Sequence, residues 1–240
     1  MYYDLHIHSA LSPCSDDTMT IYNIFHMSYI KGLDLIAITD HNSLKQQHHL
    51  EKVIQSPILK GKIDFIYGVE LQSCENIHVL AYFQRGTPLQ PIQQWIDQHL
   101  IKTMNQKDYY GNQYIFDEYD HIVDEEVYLL LNSLDLTLNQ IITEIHQFHG
   151  IAVLAHVFQK KYGVYEFYQD IPAYLDYDGI EVNSLKQLAD LKKICPHCRD
   201  DLVLVNSDAH QLEDIQEPLY QIDFQQLEKL WRKRQCRKLR

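Results

Sequence analysis

His6 and His8 stand one residue apart in the segment "DLHIHS". In an extended stretch, residues i and i+2 project from the same face, so the two imidazoles are spaced to grip one ion. An isolated H-x-H pair fits two ordinary, partly buried histidines equally well, so the rest of the chain must decide. Further imidazoles and carboxylates recur at the ends of short apolar runs. Asp40 and His41 follow "LIAIT", Glu70 follows "IYGV", His156 follows "IAVLA", and Asp208 and His210 follow "LVLVNS", while His78 opens "HVLAYF". Nitrogen donors mixed with carboxylates suit zinc, manganese or iron, whereas an all-oxygen shell would suit magnesium or calcium.

The elements that must position these groups are legible from periodicity. Seven short runs, "DLHIHS", "LDLIAITDHN", "IDFIYGVEL", "NIHVLAYF", "GIAVLAHV", "DGIEVNS" and "DLVLVNSDAH", read as buried strands alternating with helices. Continuous apolar strands of this kind belong in a mostly parallel sheet covered on both faces. Thr20 caps a helix with Ile21, Ile24, Phe25 and Ser28 on one side and Gly32 near its end, and Thr137-x-x-Gln140 opens a second that ends at Gly150. In a parallel barrel the strand C-termini meet at one face, where catalytic groups collect. Residues 84–136 break the alternation and read as a helical insertion covering one end of the barrel, with Tyr109, Tyr110, Tyr114 and Tyr119 forming its own core rather than stacking bases.

Length and composition set bounds. The 240 residues fit a single domain spanning 1–240, with the insertion and a basic C-terminal tail at 228–240. No apolar run approaches the roughly 20 residues of a membrane span, and no basic stretch followed by an apolar one opens the chain, so the expected location is cytoplasmic. Five scattered cysteines, an odd number, fit a reducing compartment. The net charge of −12 argues against a partner of duplex DNA, since non-specific nucleic-acid affinity comes from Lys and Arg neutralising phosphates. The tail carries seven of the 21 basic residues and reads as a solvated helix. "CPHC" at Cys195–Cys198 lacks a second pair at zinc-finger spacing, Cys14 reads as a small packing residue, and His48, His49, His121, His146 and His149 read as exposed.

Taken together, "DLHIHS", "ITDHN", "GVE", "HVLAYF", "LAHV" and "NSDAH" resemble, in order and along nearly the whole chain, the PHP (polymerase and histidinol phosphatase) family of metal-dependent phosphoesterases, in its small stand-alone branch. The resemblance implies an α/β fold, a distorted (β/α)7 barrel of TIM-like type, with two or three divalent ions (Mn, Zn or Fe) at one face. It implies His6, His8, Glu70 and Asp208 around a first metal, and a bridging Glu70 with His78 and His156 around a second. A third would use His41, His210 and an acid of "SDDT"; Asp16 matches the family position, but Asp17 replaces the usual glycine and leaves both carboxylates open.

Two such metals can share a water, lower its pKa and aim it at phosphorus, with Asp208 taking a proton and His41 or His210 stabilising the leaving oxygen. Asn42, Lys160, Lys161 and Asn183 are the candidates for binding substrate phosphate. The substrate class implied is a small phosphorylated metabolite, a nucleotide or an oligonucleotide end. An amidohydrolase-like hydrolase, attacking carbonyl carbon from the same kind of site, and a non-catalytic metal-binding regulatory module are the alternatives.

Overall fold

In the computed structural model, which describes residues 1–236, six of the seven apolar runs form one strand each and "IDFIYGVEL" splits into two that join different sheets. In chain order the elements are β1 (Tyr3–Ile7), α1 (Ile21–Lys31), β2 (Leu35–Ile38), a 3-10 turn (Lys45–His49) running into α2 (Leu50–Val53), β3 (Asp64–Phe65), β4 (Tyr67–Gln72) and β5 (His78–Phe83). Then follow α3 (Leu89–His99), α4 (Lys107–Tyr110), β6 (Tyr114–Phe116), β7 (Ile122–Glu125), α5 (Leu138–Gln147), β8 (Ile151–Leu154), α6 (Val164–Tyr168), β9 (Gly179–Glu181), α7 (Leu185–Ile194), β10 (Val203–Leu204) and α8 (Phe224–Cys236). None of the described helices is long and apolar enough to cross a membrane.

The helix ends follow local chemistry. Thr20 Oγ1 accepts from Asn23 N at the start of α1, which buries Ile21, Ile24, Phe25 and Ser28, and Gly32 closes it in the left-handed region at φ 87°. Thr137 and Gln140 form a reciprocal capping box on α5.

The strands pair as β1-β2-β3, β10-β9-β8-β5-β4 and the hairpin β6-β7. The α/β class is as expected, but the described strands do not pair into one closed ring: only single bridges, His41 to Glu70 and Ile7 to Ala209, join the two larger sheets. Alternation along the strands nevertheless sorts their side chains into two cores. Leu5, Leu35, Leu80, Tyr82, Val153 and Leu204 share an interior cluster, whereas Ile36, Val79, Ala152 and Leu154 face the outer helices.

Three expectations change. β5 runs antiparallel to both β4 and β8, because only residues 73–77 link β4 to β5, enough for a hairpin and too few for a crossover. Its first residue, His78, pairs with the last of β4, Gln72, so reversal brings His78 to the face where the other strands end. The insertion at 84–136 is not purely helical, since it combines α3 and α4 with the β6-β7 hairpin. It packs over the 9–17 loop, with Tyr114 N donating to Ala10 O and Gly111, at φ +105°, lying too close to the Pro13 carbonyl to admit a Cβ. Tyr109 and Tyr119 are exposed there rather than forming its core.

The third change concerns the tail. Through residue 236 it is α8, and it is not solvated all round: Leu227 and Trp231 enter the interior cluster, and Trp231 Nε1 donates to Tyr82 O. Residues 237–240 lie outside the described residues.

Candidate metal centre

The chain turns left-handed at three positions on one face: Asn42, His156 and Asp208, with φ of 45°, 27° and 54°. Non-glycine residues occupy that region at a cost, and such strain gathers where side chains must be aimed. Around the point they surround stands the buried carboxylate of Glu70. His78 Nδ1 lies 2.9 Å from its Oε1, His156 Nε2 3.0 Å from the same oxygen, and His41 Nδ1 3.0 Å from Oε2. His6 Nε2 and His8 Nε2 stand at 3.4 and 3.5 Å. Asp208 Oδ1 reaches both of these nitrogens at 3.2 Å.

The surrounding residues fix which nitrogen each ring offers. His6 Nδ1 faces Glu181 Oε2 at 3.0 Å, and Glu181 is itself held by Asn206 Nδ2 and the backbone N–H of His156. Ser12 Oγ donates to Asp40 Oδ1, so it can only accept from His8 Nδ1, 3.1 Å away. Both rings therefore carry their proton on Nδ1 and present lone pairs from Nε2, yet those two Nε2 atoms are 3.1 Å apart. Only a shared proton or a cation reconciles them, so the donor set fits a divalent ion, and the carboxylate–histidine pairing is the usual support of such a ligand.

The charges in this pocket are strongly coupled. Burial pushes Glu70 upward, but the facing His78, His6 and His41 imidazoles outweigh it and hold its carboxyl well below the ordinary range. Burial also opposes ionisation of Asp208, which His6 and His8 nonetheless hold down. His78 is driven down to about 4, chiefly by burial. His41 and His210 are raised against the pull of burial, both helped by the Cys14 thiol, and that thiol is brought down to about 6 by the same two rings.

Of the residues expected to bind metal, His6, His8, His41, Glu70, His78, His156, Asp208 and His210 converge here; the His8, His41 and His210 rings also lie within ligand distance of one another. Asp16 does not join them. It is exposed, and its Oδ1 accepts from both the backbone N–H and the hydroxyl of Thr18 two residues on. Asp17 is taken by Asn112 Nδ2. Cys14, read from sequence as packing, instead lines the pocket with its thiol toward His41 and His210.

The phosphate-binding candidates divide. Asn42 is buried and fully used: its amide donates to Leu130 O and Asn132 O, and its Oδ1 accepts from Gln72 N, tying the insertion to the site. Asn183 is exposed and does not line the centre, and its N–H caps back onto Gln187 Oε1. Lys160 and Lys161 line a groove of about 580 Å³ that shares Gln72, Leu131 and Tyr162 with the metal pocket.

Sequence reading missed Glu181 and Ser12, and it marked Asp40 only as a strand-end carboxylate, not as a group that orients the ligands. The available signal was Glu181 at the end of "DGIE", a strand-end carboxylate like the others. Glu181→Gln should leave the fold intact and weaken divalent-metal affinity by about 10–100-fold, as changes around a ligand do; unchanged affinity in a competition titration would show that His6 does not depend on it.

No family model and no curated protein matches the sequence. Solved structures do. The chain superposes on the lesion-specific endonuclease Q of Pyrococcus furiosus with a TM-score of 0.60 at 23% identity, over 88% of this chain and 48% of that one. A second endonuclease Q, solved with a 27-mer duplex carrying an abasic lesion, gives 0.60 at 20%, over 88% and 49%, so this chain spans about half the length of either. A metal-dependent phosphoesterase from Bifidobacterium adolescentis gives 0.57 at 15% identity, covering 98% of this chain and 96% of that one. An amidohydrolase from Chromobacterium violaceum gives 0.56 at 17%, over 99% and 97%. The chain shares the α/β fold of these solved structures, the fold class that its motifs led one to expect.

Proposed function

We propose that this chain is a PHP-family phosphoesterase that hydrolyses a phosphate ester of a small metabolite, a nucleotide or an oligonucleotide end. The carrying observation is the convergence of five imidazoles on the buried Glu70 carboxylate, with Asp208 beside two of them. In this reading the two larger sheets make a distorted barrel, seven-stranded when β3 and β4, which share one apolar run, are taken as a single broken strand, and the interior cluster their alternate residues share supports it. His6, His8, Glu70 and Asp208 hold one divalent ion, Mn, Zn or Fe, and Glu70, His78 and His156 hold a second. Bound there, such ions acidify a water and neutralise charge on phosphoryl oxygens.

The protein's own groups do the rest. Glu181 and Ser12 keep His6 and His8 in the ligating tautomer. Asp208, ionised and partly open to the pocket, takes the attacking water's proton. With no third ion bound, His41 and His210, both shifted toward their protonated forms, stabilise the leaving oxygen; a third ion would instead take the two rings unprotonated, with Cys14 beside them. The groove beside the centre receives the rest of the substrate. Lys160 and Lys161 hold phosphate there, and replacing both by alanine should raise KM about tenfold or more with little change in kcat, the effect of losing charge-assisted hydrogen bonds of about 1.5–3 kcal/mol. The net charge of −12 disfavours duplex DNA, and the free cysteines suit a reducing, cytoplasmic setting.

The test is phosphate release, in manganese and then zinc, from p-nitrophenyl phosphate, 3′,5′-nucleoside bisphosphates, histidinol phosphate and 5′-phosphorylated RNA oligomers. Turnover of at least one is expected. Silence on all four with metal bound would overturn the phosphoesterase reading in favour of an amidohydrolase or a metal-binding regulatory module.

A further inference from the structure

Away from the Glu70 centre, three chemically distinct donors gather where α7 ends. Cys195 Sγ lies 3.1 Å from Asp170 Oδ1 and 3.6 Å from His197 Nε2, and that nitrogen is 3.4 Å from the same carboxylate oxygen. Cys198, the second thiol of "CPHC", donates its backbone N–H to Cys195 O at 3.1 Å, and both cysteines are buried. We propose that Asp170, Cys195, His197 and Cys198 form a structural zinc site, separate from the Glu70 centre.

Geometry and chemistry both carry this. Zinc bonds of about 2.3 Å to sulfur and about 2.0–2.2 Å to nitrogen or oxygen, at tetrahedral angles, put ligand atoms about 3.3–3.6 Å apart. The three measured separations, 3.1, 3.4 and 3.6 Å, fall on or within a few tenths of that range before any ion is placed. Asp170, Cys195 and His197 already lie within ligand distance of one another, and the second thiol of the C-x-x-C pair, Cys198, would close a four-ligand set of mixed S, N and O donors, which zinc takes and which leaves no open position for catalysis. Binding replaces the two thiol protons, Zn²⁺ entering and two H⁺ leaving, with no change of oxidation state.

The four residues come from two places in the chain. Asp170 follows α6, and the other three lie between α7 and β10. An ion here would clip those segments together just upstream of Asn206 and Asp208, the residues that β10 delivers to the Glu70 centre. The site therefore stands or falls independently of the phosphoesterase reading.

The test is cobalt substitution in a Cys14→Ser background, which removes the one thiol facing the Glu70 centre. A thiolate-to-cobalt charge-transfer band in the near ultraviolet is expected in this protein, unchanged by Cys74→Ser and abolished by Cys195→Ser. His197→Ala, whose side chain is half-exposed and tolerant of truncation, should lower zinc affinity at least about 100-fold, since even groups around a ligand cost about 10–100-fold. Absence of the band in the Cys14→Ser protein, or its survival in Cys195→Ser, would overturn the site. Should Cys195→Ser fail to fold, the His197→Ala titration decides, and unaltered zinc affinity there counts against the proposal.

Discussion

Glu70→Gln should abolish turnover while leaving the fold in place. The amide keeps the volume and one oxygen but removes the negative charge that five imidazole rings surround. In the native protein those rings outweigh burial and keep the carboxyl ionised, so the side chain is committed as an anion before any metal arrives. Under the proposed function, a neutral amide would leave the divalent ions without the anion that holds them. We expect kcat/KM to fall by at least about a thousandfold, at or beyond the loss of a preorganised charge-stabilising group. Metal content measured on the same preparation should drop with it, while circular dichroism stays unchanged. Full metal content with activity retained would refute the bridging role.

The second large effect lies at the opposite end of the molecule. Arg234 is fully buried; its Nε donates to Asp178 Oδ1 at 2.9 Å, another nitrogen reaches the same oxygen, and Nη1 donates to Asp176 Oδ2 at 2.9 Å. Asp178 is as deeply buried, and it also accepts from Ala152 N at the start of β8 and pairs with His146 of α5, a residue the sequence suggested was exposed. Arg234→Ala strands that carboxylate without its cation, and breaking one partner of a buried pair costs about 3–5 kcal/mol. The loss should appear as a lower denaturation midpoint at neutral pH.

Its pH dependence has a definite sign. Burial alone would raise the Asp178 pKa, but hydrogen bonds from His146 and Arg234 hold it below the ordinary carboxylate range. A depressed folded pKa gives stability that is fully present above the unfolded value, about 3.9, and is lost as pH falls through the folded value. The gap between wild type and Arg234→Ala should therefore be widest near neutrality and narrow in acid. A gap independent of pH would mean that packing, rather than the ion pair, explains the loss.

Local chemistry in the sequence determined much of the architecture. Apolar runs long enough for buried strands, the Thr20 and Thr137 caps, and the strand-end histidines and carboxylates are all properties of neighbouring residues, and eight of the nine residues marked as metal ligands do meet. Tertiary structure decided the rest, because it turned on partners distant in sequence. Asp16 and His8 are both near the start, but only folding shows that Thr18 satisfies the first while Ser12 and Asp40 turn the second toward Glu70. Asn42 looks like a free polar group beside a motif until Leu130 and Asn132 of the insertion and Gln72 of β4 consume its hydrogen bonds. The basic run at the C-terminus reads as solvated because its charges dominate, yet Trp231 and Arg234 face inward once α8 packs. Which donors a residue type offers is written in the sequence; which of them remain unspent is settled only by what the fold brings against them.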